Sequence, residues 1–409
     1  MIGPRPAHRS LTLLVAGEAH LVRGTDERIH SASGIEAYPF WTRYLEVFER
    51  VVVAARTADD KADGFAPVDG PGVEVLPLPD YRGPWGYLRA RPRLERALAA
   101  GVARADAICL RAPGPIAALA CRLSGERPFG VEVVGDPLDS LSRGAVQSVL
   151  RPAARALLAR ALRRMCRQAV AAAYVTDSAL QRRYPPGGWT TSYSSIELED
   201  DAFVAEAELV QRRATAADDH TGTPARPWRL VFVGSLAQLY KGPDVLIDAL
   251  ALCRARGIEM TLTIVGDGAH RPALEARARA RGVGAAVRWA GQLRPGAAVR
   301  QALDTADLFA LPSRQEGLPR ALIEAMARGV PSVATRVGGI PELLPGERLV
   351  PPGDARALAQ AIGRLCAAPK QLVAIGRRDF AVARHYGAGV LRPRRRAFYE
   401  RLRAAAEGQ

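Results

Sequence analysis

Two glutamates eight positions apart, Glu316 and Glu324, lie within SRQEGLPRALIEAMARG (313–329). The first follows an apolar run, ADLFALPS (306–313), and the second sits inside the helical pattern LPRALIEAMARG (318–329). Eight residues span about 12 Å if wholly helical, and a loop start at Glu316 changes both the distance and its direction. The two carboxylates can therefore contact different parts of one extended ligand, or be a helix-start Glu and an unrelated surface Glu. Carboxylates accept hydrogen bonds from sugar or ribose hydroxyls, and the unpaired N–H groups of residues 317–320 can hold phosphate between them. A glycosidase pair is a poorer reading, because the second Glu is a helix residue tied to the same loop and does not face the first.

A second constellation is VFVGSLAQLYKGPDVLIDAL (231–250), a buried strand, a glycine at the turn, then Lys241 and Gly242 before a helix. Gly234 lets the backbone approach an anion, the helix start supplies free N–H groups, and Lys241 adds a point charge suited to a diphosphate. Read alone, Lys241 is equally a surface lysine beside a helix start. The loop is not a nucleotide-hydrolase phosphate loop, since GxxxxGK followed by Ser or Thr is absent. The stretch GEAHLVRGTDERIHSASG (17–34) likewise lacks the GxGxxG of a dinucleotide-binding oxidoreductase. In the first half, VEVVGDPLDS (131–140) ends a strand at Asp136, which can bind a hydroxyl from across a cleft or simply cap its own loop. Arg111, after AICLR, is a weaker cleft candidate, with an ordinary strand-end surface residue as its alternative.

These residues sit at the ends of a repeated pattern. LTLLVAG (11–17), VVVAAR (51–56), VEVLPLP (73–79), AICLRAP (107–113), GVEVVGDP (130–137) and AAAYVT (171–176) read as strands. RLVFVGS (229–235), MTLTIVGDG (260–268), AVRWAGQL (286–293), ADLFALPS (306–313) and VPSVATRVGG (330–339) restart the pattern. Near-continuous apolar strands alternating with helices imply parallel sheets covered on both faces. The expected fold class is α/β, with two Rossmann-like doubly wound domains facing across a cleft. Residues 1–205 form the first domain, 206–228 a linker, and 229–384 the second domain. Residues 385–409 form a helix returning to the first, whose aromatic residues pack. Helices are expected over 354–367, 370–385 and 389–405, and Thr176 is expected to cap a helix near Asp177.

The 409 residues carry a formal charge of +15, concentrated on stretches such as RPAARALLARALRRMCRQ (151–168) and RPRRRAFYERLR (392–403). That charge suits anionic membrane or an anionic substrate, and equally a solvated Arg-rich helix face. Nucleic acid is not expected, since no aromatic platform accompanies the charge. Cysteines 109, 121, 166, 253 and 366 and histidines 8, 20, 30, 220, 270 and 385 show no metal-ligand spacing, so no metal site is expected. No apolar run reaches the roughly 18 residues of a transmembrane span, and a reducing cytoplasm fits the scattered cysteines.

FVGSLAQLYKG, TIVGDG, GQL, LPSRQEGLPRALIEAMARGVPSVAT and VGGIPE, in this order and spacing, resemble the donor-binding domain of retaining glycosyltransferases of family 4, with GT-B architecture. The resemblance covers nearly the whole second domain and extends weakly across the first. It implies transfer of a sugar from a nucleoside diphosphate sugar, UDP by family habit, with retention and without cofactor or essential metal. Glu316 is similar to the glutamate that touches donor-hexose hydroxyls, Glu324 to the one that holds the ribose, and Lys241 to the cation on the diphosphate. Gly234, Ser235, Gly266, Leu293, Gly317, Leu318 and Pro319 match other donor-side positions, and Gly34 matches a close-approach glycine of the acceptor-side loop. Asp136 lies near a position where the family often has a histidine beside the sugar. Glu316, Lys241 and Asp136 are the expected catalytic set, with Glu316 binding and no covalent nucleophile assigned.

The chain departs from the family where Ser235 replaces a usual arginine, whose place Arg314 or Arg336 could take. The expected acceptor is a carbohydrate or lipid-linked envelope or polysaccharide precursor, met in the cytoplasm or peripherally at the inner face of the membrane. Transfer to a small natural product such as an aminocyclitol, and a non-catalytic sugar-nucleotide-binding protein, are the alternatives.

Overall fold

The structure is a computed structural model that describes residues 10–31, 36–59, 66–140, 151–222 and 225–408. Two largely parallel sheets form its frame. The first contains β1 (Thr12–Arg23), β2 (Ile29–Ser31), β3 (Arg50–Asp59), β4 (Val73–Pro79), β5 (Ala107–Ala112), β6 (Phe129–Val133), β7 (Ala171–Tyr174) and β8 (Trp189–Ser192). Its order is β4-β3-β1-β5-β6-β7-β8, with β2 antiparallel to β1. The second contains β9 (Trp228–Val233), β10 (Met260–Val265), β11 (Val287–Gly291), β12 (Leu308–Leu311), β13 (Ser332–Thr335) and β14 (Leu349–Val350), in the order β11-β10-β9-β12-β13-β14. Both are doubly wound, and the order reverses between β1 and β5 and between β9 and β12, where such sheets open a crevice beyond the strand ends. Leu13, Leu14, Ile108, Leu110, Val131, Phe232, Leu262, Ile264, Phe309 and Leu311 are fully enclosed, as strands covered on both faces require.

Three elements differ from the sequence expectation. First, β1 continues past 17 to Arg23. His20–Arg23 pair with Arg56–Asp59 beyond a register shift, and Leu21–Arg23 pair with β2. Leu21 and Ile29 bury there and hold the ribbon to the core. Second, β8 and β14 are short edge strands whose length hid them. Third, 206–218 is no linker but a helix, Glu206–Asp218, which buries Leu209, Arg213, Ala216 and Ala217. A Cβ added to Gly329 would lie 2.3 Å from Leu209, so this helix packs tightly on the second domain. Arg213 donates to the carbonyls of Ala306 and Asp307 at 2.9 and 3.2 Å, and burial pulls its guanidinium down to about 10.

The final helix, Ala388–Glu407, returns to the first sheet as expected and buries Phe398, Tyr399 and Leu402. Gly130 of β6 leaves room for Phe398, since a Cβ there would lie 2.7 Å from that ring. Its aromatic residues are packing residues, with one polar addition: Tyr399 donates to Glu132 at 3.2 Å.

Candidate functional site

The crevice between β9 and β12 brings Lys241 and Glu316 together. Lys241 ends the turn after β9, and Gly242 follows it in the left-handed region, φ 73°, before the helix Pro243–Ala255. A Cβ on Gly242 would stand 2.1 Å from the Pro312 carbonyl oxygen, so the two loops meet backbone to backbone. Arg314 locks the same junction. Its backbone N–H donates to the Tyr240 carbonyl at 2.6 Å, and its guanidinium grips Asp244 at 2.9 and 2.7 Å and the Leu239 carbonyl at 2.7 Å. Arg314 is therefore committed to holding the loop and does not stand in for the arginine absent at Ser235. Arg336 is exposed and reaches only the Gly346 carbonyl, at 3.4 Å.

Within this frame Lys241 Nζ donates to Glu316 Oε1 at 2.6 Å, and Ser313 Oγ donates to the same oxygen at 2.7 Å. The carboxylate side chain is only 7% exposed. Such a pair in a partly dry crevice is strong and directional, and a ligand with both hydroxyls and a diphosphate can divide it between its parts. Gly317 and Pro319 lead into the helix Arg320–Ala327, and Leu318 buries beneath them. The Gly317 carbonyl accepts from Gly339 N–H at 2.7 Å. Gly234 and Gly266 serve each other: Gly266, φ 134°, would put a Cβ 2.0 Å from the Gly234 carbonyl oxygen. Ser235 is exposed and its Oγ accepts from Ala237 N–H at 3.2 Å, while Leu293 is half-buried beyond β11.

Glu324 belongs to a different wall. It lines an interdomain cleft of about 1110 Å³, with Gly296, Arg300 and Arg320 on its own side and Phe40 and Arg43 from the first domain. The lining of that cleft does not include Lys241 or Glu316, so the two glutamates do address separate regions. Burial raises the Glu324 carboxyl above its ordinary value, and Arg320 and Arg300 pull it partly back. Phe40, Arg43 and Arg320 were not singled out in the sequence. Only their convergence from distant segments marks them.

Two expected cleft residues are turned inward instead. Asp136 is 1% exposed at its side chain; it accepts from Leu138 N–H at 2.8 Å and Tyr184 OH at 2.6 Å, and pairs with Arg183. Its loop-capping role wins because the β6 end is roofed by the segment from Ala179 to Tyr184. Arg111 is likewise enclosed, bonded to Glu132 at 2.5 Å. Gly34 lies outside the described residues. The helix expected near Asp177 starts at Ala179 with Ser178 at its N-cap, and Thr176, two positions earlier, still accepts from Leu180 N–H with its Oγ1 at 3.0 Å.

The domains touch closely on the Gly317 side. A Cβ on Gly317 would lie 2.7 Å from the Val134 carbonyl oxygen, and one on Gly339 2.8 Å from Thr176 Cγ2. Glu342, the glutamate of VGGIPE, reaches across to the first domain. Its carboxylate accepts from the N–H groups of Asp177, Ser178 and Ala179 at 2.7, 3.0 and 2.7 Å and from Ser178 Oγ at 3.0 Å. Among the described residues no group of three or more His, Cys, Asp or Glu could hold a metal, and no helix is long and apolar enough to cross a membrane.

Two doubly wound lobes, with a cation and a carboxylate at the switch point of the second, define a two-lobed α/β protein whose crevice suits an anionic ligand. Residues 227–368 match the model of the family described as group 1 glycosyl transferases. The second domain is thus similar to that family, and the two-lobed frame has the GT-B architecture. It is 26% identical over 333 residues to Protein CapJ of Staphylococcus aureus, covering 80% of each chain. It is 37% identical over 148 residues to the putative colanic acid biosynthesis glycosyltransferase WcaL of Escherichia coli K12, a match spanning 34% of this chain and 36% of that one. In fold it is similar to sucrose-phosphate synthase from Thermosynechococcus elongatus, with TM-score 0.69, 20% identity and coverage of 97% and 100%. It is also similar to Anabaena HepE in complex with UDP and glucose, with TM-score 0.63, 18% identity and coverage of 98% and 100%.

Proposed function

We propose that the protein moves a hexose or N-acetylhexosamine from a UDP-sugar, with retention, to a hydroxyl of an envelope-precursor or polysaccharide acceptor. The observation that carries this reading is the Lys241–Glu316 pair at 2.6 Å in the switch-point crevice. Lys241 and the N–H groups leading into Arg320–Ala327 take up charge on the departing diphosphate. Glu316 accepts a hydroxyl of the sugar, Glu324 accepts the ribose hydroxyls, and the leaving phosphate takes the acceptor proton on the same face. Closure of the two domains excludes the water that hydrolyses the donor. The acceptor class is supported by the colanic acid role printed for WcaL, and the nucleotide by the UDP and glucose bound to HepE. No metal or other cofactor takes part in this scheme.

The site of action in this proposal is the cytoplasm, at the inner face of the membrane. The helix Arg151–Gln168 supports it: Arg160, Arg163, Arg164 and Arg167 lie on its exposed stripe, and Leu157 on the same helix is 64% exposed. Basic groups beside an exposed apolar side chain suit an anionic lipid surface.

The test is binding and slow hydrolysis over a panel of UDP-, GDP- and dTDP-sugars, with Glu316→Ala and Lys241→Ala beside the wild type. Saturable binding of UDP-sugars, weakened at least about tenfold by either change, is expected from loss of one charge-assisted contact. A folded sample that binds no member of the panel overturns the proposal.

A further inference from the structure

Lys241 lies on a turn that its own packing does not fix. None of the three residues of Leu239–Lys241 is buried, and a lysine carries a compact charge on a flexible stem with no directional fork. What fixes the turn comes from the loop after β12. Arg314 N–H donates to the Tyr240 carbonyl at 2.6 Å, and Arg314 Nη1 donates to the Leu239 carbonyl at 2.7 Å. The same guanidinium forks onto Asp244, in the first turn of Pro243–Ala255, with Nη1 2.9 Å from Oδ1 and Nη2 2.7 Å from Oδ2. One residue therefore holds the chain both before and after Lys241.

The Arg314–Asp244 pair is shielded and has little competition. Its side chains are 26% and 17% exposed, so water and salt screen it less than a pair on the open surface. Arg277, another cation near Asp244, is held by Asp248 at 2.9 Å. Arg314 also stands two positions before Glu316, the carboxylate that meets Lys241 at 2.6 Å, so clamp and site share one short loop. Ser235 brings no charge to this crevice and Arg314 is itself committed, which makes the position of the Lys241 ammonium matter more. Electrostatic stabilisation of a leaving group depends on a donor already in place, and a displacement of about 1 Å can cost about a hundredfold in rate.

We propose that Arg314 and Asp244 form a positioning pair for Lys241, whose ion pair sets the turn so that the ammonium meets the donor diphosphate. This rests on the glycosyl-transfer reading, in which Lys241 takes up charge on that diphosphate. Neither member of the pair touches the donor; both act through Lys241. Arg314→Lys keeps the charge and loses the planar fork that grips a carboxylate and a carbonyl together.

The experiment is a double-mutant cycle on UDP binding, measured by calorimetry on the full chain as wild type, Arg314→Lys, Lys241→Ala and the double variant. Arg314→Lys is expected to weaken UDP about tenfold and Lys241→Ala at least about tenfold, as loss of a charge-assisted contact predicts. The double variant should bind within about twofold of Lys241→Ala, because the pair then has no ammonium left to position. Asp244→Asn, alone and combined with Lys241→Ala, repeats the cycle from the other partner and should give the same pattern, so the test does not hang on how one variant folds. Additive losses, at least about a hundredfold in the double variant, overturn the proposal and leave the donor reading standing. UDP binding unchanged in either Arg314→Lys or Asp244→Asn does the same. A folded wild type that binds no UDP overturns both.

Discussion

Glu324 is a carboxylate kept in a place that disfavours its charge. Burial raises its pKa above the ordinary 4.5, and Arg320 and Arg300 only partly offset this. For an acid whose folded pKa exceeds its unfolded one, the cost to folding is absent below the unfolded value and grows as pH rises through the folded one. Glu324→Gln is therefore expected to melt higher than wild type at pH 7, with the advantage fading as pH falls toward 4.5. The same variant should bind UDP more weakly, by about tenfold, because an amide accepts ribose hydroxyls less strongly than a carboxylate. Melting curves from pH 4 to 8 beside a nucleotide titration check both halves. A variant less stable than wild type at neutral pH would contradict the electrostatic account.

The helix Glu206–Asp218 shows how composition can hide an element. Its Thr, Ala and Asp residues read as a connector, yet Leu209, Arg213 and Ala216 recur at helical spacing and all bury. Leu209 fills the space left open by Gly329 and Gly376, whose added Cβ atoms would lie 2.3 and 3.5 Å from it. Leu209→Ala is expected to destabilise the protein by about 2–5 kcal/mol, the cost of emptying a packed site. Urea unfolding measures it. A loss below about 0.5 kcal/mol, normal for an exposed position, would mean the helix does not belong to the second domain's core. Gly242 is a different case, legible as a turn glycine beside Lys241, although its need to pass the Pro312 carbonyl is visible only in the assembled loops.

Glu342 joins the two domains through one side chain. Four donors from residues 177–179 converge on a carboxylate contributed from more than 160 positions away. Beside it, glycines at 317 and 339 allow the domains to approach to contact distance. Glu342→Ala leaves those backbone donors without their acceptor, and hydrogen bonds to a charged group contribute about 1.5–3 kcal/mol each at most. The expected outcome is a calorimetric trace in which one domain melts earlier than the other, with a larger radius of gyration by X-ray scattering. A single transition at the wild-type temperature and an unchanged radius would show that the contact does not govern closure.

Much of the second domain's crevice was legible because its residues are local. Glu316, Gly317, Pro319 and Glu324 share one loop and helix, Lys241 sits one turn beyond its strand, and apolar runs fix where those strands end. Strand patterning likewise determined the two doubly wound sheets and the returning helix, since alternation of buried runs and helices has few other solutions. What the amino-acid order left open was direction and partnership. Asp136 and Arg111 stand at strand ends, as cleft residues do, yet Tyr184 and Glu132 turn them inward. Tyr44, Glu132 and Tyr399 meet from segments 88 and 267 positions apart. Charge pairing depends on distances of a few ångströms, and a linear pattern specifies such distances only within a loop or a helical turn. Which of so many arginines face the cleft and which turn inward was decided by the packing of the two domains and the crossing helix.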